Sequence, residues 1–211
     1  MTLPRIYPIL DAATVAASGI ALLDAAAALL DGGARVLQWR SKQPWTPEHF
    51  ETAAAVAALC ARSGAAFVVN DRADIAALLD AGLHVGQDDL SPADARRVLG
   101  PARMLGYSTH NATQLRNATA EPVTYLAIGP VFATQSKARP DAVVGLAALE
   151  AARSTTTLPL VAIGGITRDN ASAVLRTGVD SVAVIADLYP EPCTAHLIRK
   201  RMEQWLLLTK N

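Results

Sequence analysis

The sequence predicts an α/β protein, a (β/α)8 TIM barrel forming one domain over residues 1–211. Three observations predict it. Short apolar runs alternate with longer amphipathic ones through eight cycles. The short runs are continuously apolar, as parallel strands covered on both faces require. No Gly-x-Gly-x-x-Gly follows the first of them, so an open doubly wound sheet, the runner-up, lacks its phosphate-binding turn and would ordinarily have fewer strands.

The first strand is expected over 6–10, and the Leu- and Ala-rich stretch 20–30 gives the first helix, which ends at Asp31-Gly32-Gly33. Glycines in that position accept the left-handed backbone that terminates a helix. A strand over 35–40 leads to a helix over 47–63, opened by Thr46-Pro47-Glu48. There a capping hydroxyl precedes a proline at the first helical position. Strand 66–70, helix 73–80 and strand 83–86 follow. Ser91-Pro92-Ala93-Asp94 repeats the capping signal before helix 92–99. Strand 103–107, helix 112–119, strand 125–128 and helix 146–153 continue the alternation. Strand 160–163 precedes helix 169–177, which ends at Arg176-Thr177-Gly178. Strand 181–185 and helix 191–207 complete it.

Half the residues are hydrophobic (51%) and mean hydropathy is +0.24, enough for a large core. Nineteen basic residues balance nineteen acidic ones. That balance gives no basis for a nucleic-acid or membrane surface, so a basic cluster would be local and serve a small ligand. Cys60 and Cys193 both fall within expected helices, without metal-ligand spacing, and read as free thiols in a reducing compartment. No apolar run reaches a membrane span of roughly 18 residues, and no basic-then-apolar leader is present. A cytoplasmic location is expected; a homo-oligomer stays open.

A barrel of this kind carries its active site at the C-terminal ends of its strands. The second ends Gln38-Trp39-Arg40-Ser41-Lys42. Side chains alternate along a strand, so Gln38 and Arg40 share one face, which Lys42 continues if the chain stays extended. The plain alternative is a solvated strand end, and against it stands the cost of two uncompensated cations near a core. The third strand runs into Asn70-Asp71-Arg72 and the fourth into Gln87-Asp88-Asp89. Neighbouring strands lie about 4.8 Å apart, so Asp71 and Asp89 could reach one ion. Magnesium typically takes one or two carboxylates and completes its shell with substrate phosphate and water. The plain alternative is helix capping, weak for Asp89 because Ser91 is the better cap, stronger for Asp71 because a helix follows it. The fifth strand ends Ser108-Thr109-His110-Asn111. Ser108 can bond a ligand, Thr109 or Asn111 can cap the next helix, and His110 reads more simply as a packed or exposed side chain than as a base.

The most informative segment is Ala127-Ile-Gly-Pro-Val-Phe-Ala-Thr-Gln-Ser-Lys137. It is strand-like to Gly129-Pro130 and then presents Thr134, Ser136 and Lys137, two hydroxyls and an ammonium suited to an anionic ligand. Running to about residue 145, it exceeds the usual 2–6 residues of such a connection, and we expect it to close over substrates. After the seventh strand, Gly164-Gly165 lets backbone N–H groups approach an anion. Ile185-Ala186 ends the eighth strand beside it, and loops seven and eight form the usual phosphate site of this fold. Two anion sites result. One joins Arg40, Lys42, Asp71, Asp89 and a metal; the other joins Thr134, Ser136, Gly165 and the Ile185 region, with Lys137 between them.

Gln38-Trp-Arg-Ser-Lys42, Asn70-Asp71-Arg72, His84-Val-Gly-Gln-Asp-Asp89, Gly106-Tyr-Ser108, Gly129-Pro-Val-Phe-Ala-Thr-Gln-Ser-Lys137 and Ile163-Gly-Gly-Ile166 occur in this order across almost the whole chain. Together they resemble the thiamine phosphate synthase family. The resemblance implies a transferase that joins 4-amino-5-hydroxymethyl-2-methylpyrimidine diphosphate to hydroxyethyl-thiazole phosphate, releasing pyrophosphate, with magnesium required. It implies that Gln38, Arg40, Lys42, Asn70, Ser108 and Lys137 hold the pyrimidine diphosphate and that Asp71 and Asp89 bind Mg2+. Thr134, Ser136, Gly165, Ile185 and Ala186 would hold the thiazole phosphate. Arg40, Ser108 and Lys137 are the expected catalytic contacts.

Two positions depart from the family pattern. Ser136 stands where threonine is common and keeps the hydroxyl. Ala186 stands where serine is common and removes one donor to the thiazole phosphate. Three rival readings are set against the synthase. A thiazole tautomerase on the same barrel would carry a histidine near the sixth strand, where this chain has Gly129-Pro130. A Schiff-base lyase would need Lys137 desolvated. A non-catalytic binding barrel would not need both aspartates and both cations.

Overall fold

Each strand of the chain hydrogen-bonds to the next in sequence, and the eighth returns to the first. The computed structural model describes residues 3–134 and 141–209. The strands are β1 (Ile6–Asp11), β2 (Val36–Arg40), β3 (Ala66–Asn70), β4 (Gly82–Val85), β5 (Leu105–Thr109), β6 (Tyr125–Ile128), β7 (Leu160–Ile163) and β8 (Ser181–Val184). All pairings are parallel, and Ile6 opposite Val182 closes the ring. The expected (β/α)8 barrel is therefore the fold.

Alternation along the strands divides the interior into two layers. Leu37, Trp39, Leu126 and Ile128 point outward, into the apolar shell shared with the helices. Tyr7, Ile9, Val36, Val68, Met104, Tyr125, Ala127, Val161 and Ala183 point inward and fill the barrel. Parallel strands need crossover helices over the outer face. The connections supply α2 (Leu22–Asp31), α3 (Pro47–Arg62), α4 (Ala73–Leu78), α5 (Pro92–Leu99), α6 (Ala112–Ala118), α7 (Gly145–Thr155), α8 (Ala171–Arg176) and α9 (Ala195–Leu208). Thr46 and Ser91 cap α3 and α5, each followed by the proline at the start of the helix. Gly33 and Gly178 take positive φ, 98° and 90°, past the ends of α2 and α8.

Several boundaries differ from the sequence expectation. A short helix α1 (Ala12–Ala17) follows β1 without a break, because the Asp11 carboxylate caps it by accepting from the Thr14 amide at 2.9 Å. The fifth strand starts at Leu105, not 103, which places Ser108 and Thr109 within it. The last helix begins at Ala195, not 191, where Thr194 accepts from the Leu197 amide, so Cys193 lies in the preceding loop, not in a helix. Cys60 is in α3 as expected; it is fully buried, and burial pushes its thiol up to about 12. A short 3-10 turn (Ala186–Leu188) follows β8.

Candidate active site

The C-terminal ends of the strands gather the charged residues. At the end of β2, Arg40 pairs in register with Asp11 of β1, and its guanidinium forms an ion pair with that carboxylate. Asp11 is 4% exposed and also accepts from the Thr14 hydroxyl at 2.8 Å, so Arg40 is held in place rather than left free in solvent. Lys42, beyond the strand, donates to Asp71 at 2.5 Å. Asp71 is one of two described non-glycine residues in the left-handed region, at φ 68°. Its amide donates to the His84 carbonyl of β4 at 2.8 Å, which fixes this costly turn. Capping does not explain either aspartate. Arg72 holds the cap position of α4, and Ser91 caps α5.

Asp89 instead turns back onto the end of β4 and accepts from the Gly86 amide at 2.7 Å. Burial raises its carboxyl above the usual range; the Gly86 N–H opposes this, while the Asp71 charge raises it further. The two carboxylates thus face one another, with the Lys42 ammonium partly neutralising both. This is the electrostatic condition of an acidic pair suited to a hard divalent cation. A cleft of about 300 Å3 beside it is lined by Ser41, Lys42, Trp45, Asp71 and Arg72, with the Arg72 guanidinium 5.9 Å from the Trp45 ring centre. Asn70 closes β3 next to Asp71.

Gln38 and Ser108 sit deeper, on the inward face of β2 and at the end of β5. A polar chain that sequence reasoning did not detect joins them across the barrel. Gln38 Nε2 donates to the Tyr7 hydroxyl at 3.1 Å, and Tyr7 and Tyr125 hydroxyls lie 2.8 Å apart. Tyr125 reaches His84 Nδ1 at 2.9 Å, and His84 Nε2 lies 2.8 Å from Ser108 Oγ. Burial pushes the Tyr7 hydroxyl up to about 12 and raises that of Tyr125 well above its ordinary value, so both stay protonated at neutral pH. The only sequence signal was two tyrosines and a histidine at inward positions of otherwise apolar strands. Gly106 makes the crossing feasible, since a Cβ there would fall 2.0 Å from the Tyr125 ring and 2.5 Å from His84.

Loops six and seven are zipped together. Val131 and Phe132 amides donate to the Ile163 and Gly164 carbonyls at 2.9 and 3.0 Å. Gly164 and Gly165 take φ 102° and 63°, and a Cβ on Gly165 would meet the Ala133 carbonyl at 2.5 Å. The glycine pair therefore admits the loop-six backbone, a role beyond approach to an anion. Thr134 is half-buried at the end of this zipped segment; Ser136 and Lys137 lie outside the described residues. Asn111 caps α6, Thr109 is buried against the Ala127 carbonyl, and His110 packs on the Gly129 carbonyl at 2.7 Å.

Beside loop seven, Ile185 is half-buried and Ala186 exposed at the start of the 3-10 turn. Arg168, just after the glycine pair, donates to the Asp187 carboxylate at 3.0 Å, and Arg201 of α9 donates to the Asp187 carbonyl at 2.6 Å. This clamp ties loop seven to loop eight. It was not found from sequence, because its members are 14 to 33 residues apart.

A parallel barrel whose strand ends carry an acidic pair, basic side chains and a glycine-lined loop has the architecture of an enzyme with its site at that end of the barrel. Comparison with known proteins makes the class specific. The sequence profile of the thiamine monophosphate synthase family (TMP-TENI) matches residues 6–188. The chain is 48% identical over 195 residues to the thiamine-phosphate synthase of Koribacter versatilis, covering 91% of this chain and 92% of that one. It is 41% identical to the Chloroflexus aurantiacus thiamine-phosphate synthase, covering 86% and 83%. The solved thiamine phosphate pyrophosphorylase from Pyrococcus furiosus superposes with a TM-score of 0.85 at 30% identity, covering 98% and 95%. The chain belongs to the thiamine monophosphate synthase family.

Proposed function

We propose that this chain is a thiamine-phosphate synthase, condensing the aminopyrimidine diphosphate with hydroxyethyl-thiazole phosphate and releasing pyrophosphate. The observation that carries the proposal is the Lys42–Asp71–Asp89 cluster set beside the buried Gln38 and the half-buried Ser108. A charged diphosphate and a flat polar ring need such a division, with cations and metal ligands at the rim and neutral hydrogen-bonding groups below. The family match and the thiamine-phosphate synthase names of its relatives support the same activity.

Asp71 and Asp89 would hold Mg2+. Magnesium, when bound, supplies charge to the leaving pyrophosphate oxygens. Lys42, which donates to Asp71 at the rim, would present its ammonium to the same diphosphate. Arg40, fixed by Asp11, offers its remaining N–H donors to the same anion without reorganisation. The pyrimidine amine pushes electrons through the ring to the exocyclic methylene carbon as its C–O bond breaks, and both electrons of that bond leave with pyrophosphate. The thiazole nitrogen then attacks with its own lone pair, so the protein needs no nucleophile of its own. Thr134, Ser136, Gly165, Ile185 and Ala186 would hold the thiazole phosphate, and Lys137 the departing pyrophosphate. A cytoplasmic location suits a biosynthetic enzyme, and no described helix is long and apolar enough to cross a membrane.

The test is direct. Both substrates with magnesium should yield thiamine phosphate and pyrophosphate in equal amounts, and chelation should stop the reaction. Isomerisation of the thiazole without condensation would favour the tautomerase instead.

A further inference from the structure

We infer that Tyr7, Tyr125 and His84 form a one-way hydrogen-bond chain that sets which edge Gln38 and Ser108 present to the pyrimidine. The inference rests on the synthase reading, because that reading places both residues on this substrate. The direction follows from proton counting. The amide nitrogen of Gln38 can only donate, so Tyr7 accepts from it at 3.1 Å. Tyr7 is 1% exposed and has one proton of its own, and Tyr125, at 2.8 Å, is the partner able to receive it. Tyr125, also 1% exposed, must then give its proton to His84 Nδ1 at 2.9 Å. That nitrogen is consequently bare, and Nε2 carries the hydrogen and donates to Ser108 Oγ at 2.8 Å.

Both ends of the chain face the ligand with defined polarity. Gln38, with its N–H2 committed to Tyr7, keeps Oε1 as the acceptor for the substrate. Ser108, accepting from His84, keeps its hydroxyl hydrogen as a donor. An aminopyrimidine offers the complement, an N–H2 donor and a ring-nitrogen acceptor. The amine also becomes more positive as it drives out pyrophosphate, so a fixed carbonyl against it strengthens in the transition state. An oxo-pyrimidine, with donor and acceptor exchanged, would face acceptor against acceptor. Tyr7, Tyr125 and His84 are thus positioning residues for substrate selection. Gly106 holds open the space they use.

The readout is the ratio of inhibition constants for unreactive amino- and oxo-pyrimidine diphosphate analogues, with the ester oxygen replaced by carbon. Wild type should prefer the amino form by at least about tenfold. In Tyr7→Phe the Gln38 amide loses its fixed partner and can rotate, so the preference should collapse toward unity. In Tyr125→Phe the Tyr7 proton can go only to Gln38, which must turn its oxygen inward and show N–H2 to the ligand. That variant should reverse the preference, while the thiazole phosphate KM stays within about twofold. A packing role would weaken both analogues alike, so an unchanged ratio in both variants overturns the inference. Should either variant fail to fold, 15N NMR of the native chain decides: His84 should carry its hydrogen on Nε2, and the Nδ1–H tautomer overturns the chain. Failure of wild type to make thiamine phosphate would instead reject the proposed function, whatever the ratios.

Discussion

Asp89→Asn should make the metal-free protein more stable and the enzyme nearly inactive. The asparagine oxygen keeps the bond from the Gly86 amide at 2.7 Å. What disappears is a charge that burial already disfavours and that also faces Asp71. Two carboxylates about 4 Å apart repel by about 1 kcal/mol in a water-like medium and about 4 kcal/mol at an effective dielectric of 20. Asp89 is only half-buried and Lys42 offsets part of the repulsion, so the low end applies, about 1 kcal/mol. For a chain of this length that raises Tm by roughly 2–4 °C. The pH dependence fixes the cause. The folded Asp89 carboxyl holds its proton more tightly than the unfolded one. Its contribution to stability is complete below the ordinary carboxylate range and is lost as pH rises through the raised folded value. The advantage of the variant should therefore be present at neutral pH and vanish in acid, where wild-type Asp89 is also neutral. Activity should fall at least about a hundredfold, since even indirect partners of a metal cost 10–100-fold. Thermal melts from acid to neutral pH without metal, paired with magnesium titrations of turnover, measure both. A variant that melts at or below wild type at neutral pH, or keeps the wild-type magnesium response, refutes the acidic-pair reasoning.

Three further outcomes are expected. Gly165→Ala puts a Cβ 2.5 Å from the Ala133 carbonyl at φ 63°; it should cost about 2 kcal/mol and raise the thiazole phosphate KM about tenfold, read by melts and steady-state kinetics. Asp187→Ala leaves Arg168 and Arg201 without their shared carboxylate; a loss of roughly 2 kcal/mol is expected for these charged, partly buried hydrogen bonds, with the acceptor KM raised and that of the pyrimidine diphosphate little changed. Ala186→Ser adds a hydroxyl at the exposed start of the 3-10 turn and should lower the acceptor KM; an unchanged or higher value would count against a phosphate there.

The order of strands and helices, and hence the barrel, was written in the local pattern. Each strand is a short apolar run, and caps such as Thr46 and Ser91 act within three residues of themselves. The rim of the site was equally legible, because the barrel places every strand end on one face and Arg40, Lys42, Asp71 and Asp89 are strand-end residues. Even Asp71 and Asp89 could be paired from the roughly constant spacing of neighbouring strands. Locally, the missed helix α1 depended on one carboxylate, Asp11, which lies just past the expected strand 6–10.

What only the tertiary structure decided is which side chains meet across the closed ring. Tyr7 and Tyr125 lie 118 residues apart and exchange a hydrogen bond at 2.8 Å, because inward residues of non-adjacent strands converge on the axis. Arg40 was legible as a cation, but its partner Asp11, 29 residues earlier, was set by the register of β1 and β2. Gly164 and Gly165 were legible as a flexible pair; that they make room for loop six depends on how two loops pack. Periodicity and capping are short-range and survive in a single sequence. Register and side-chain convergence exist only once the last strand has closed on the first.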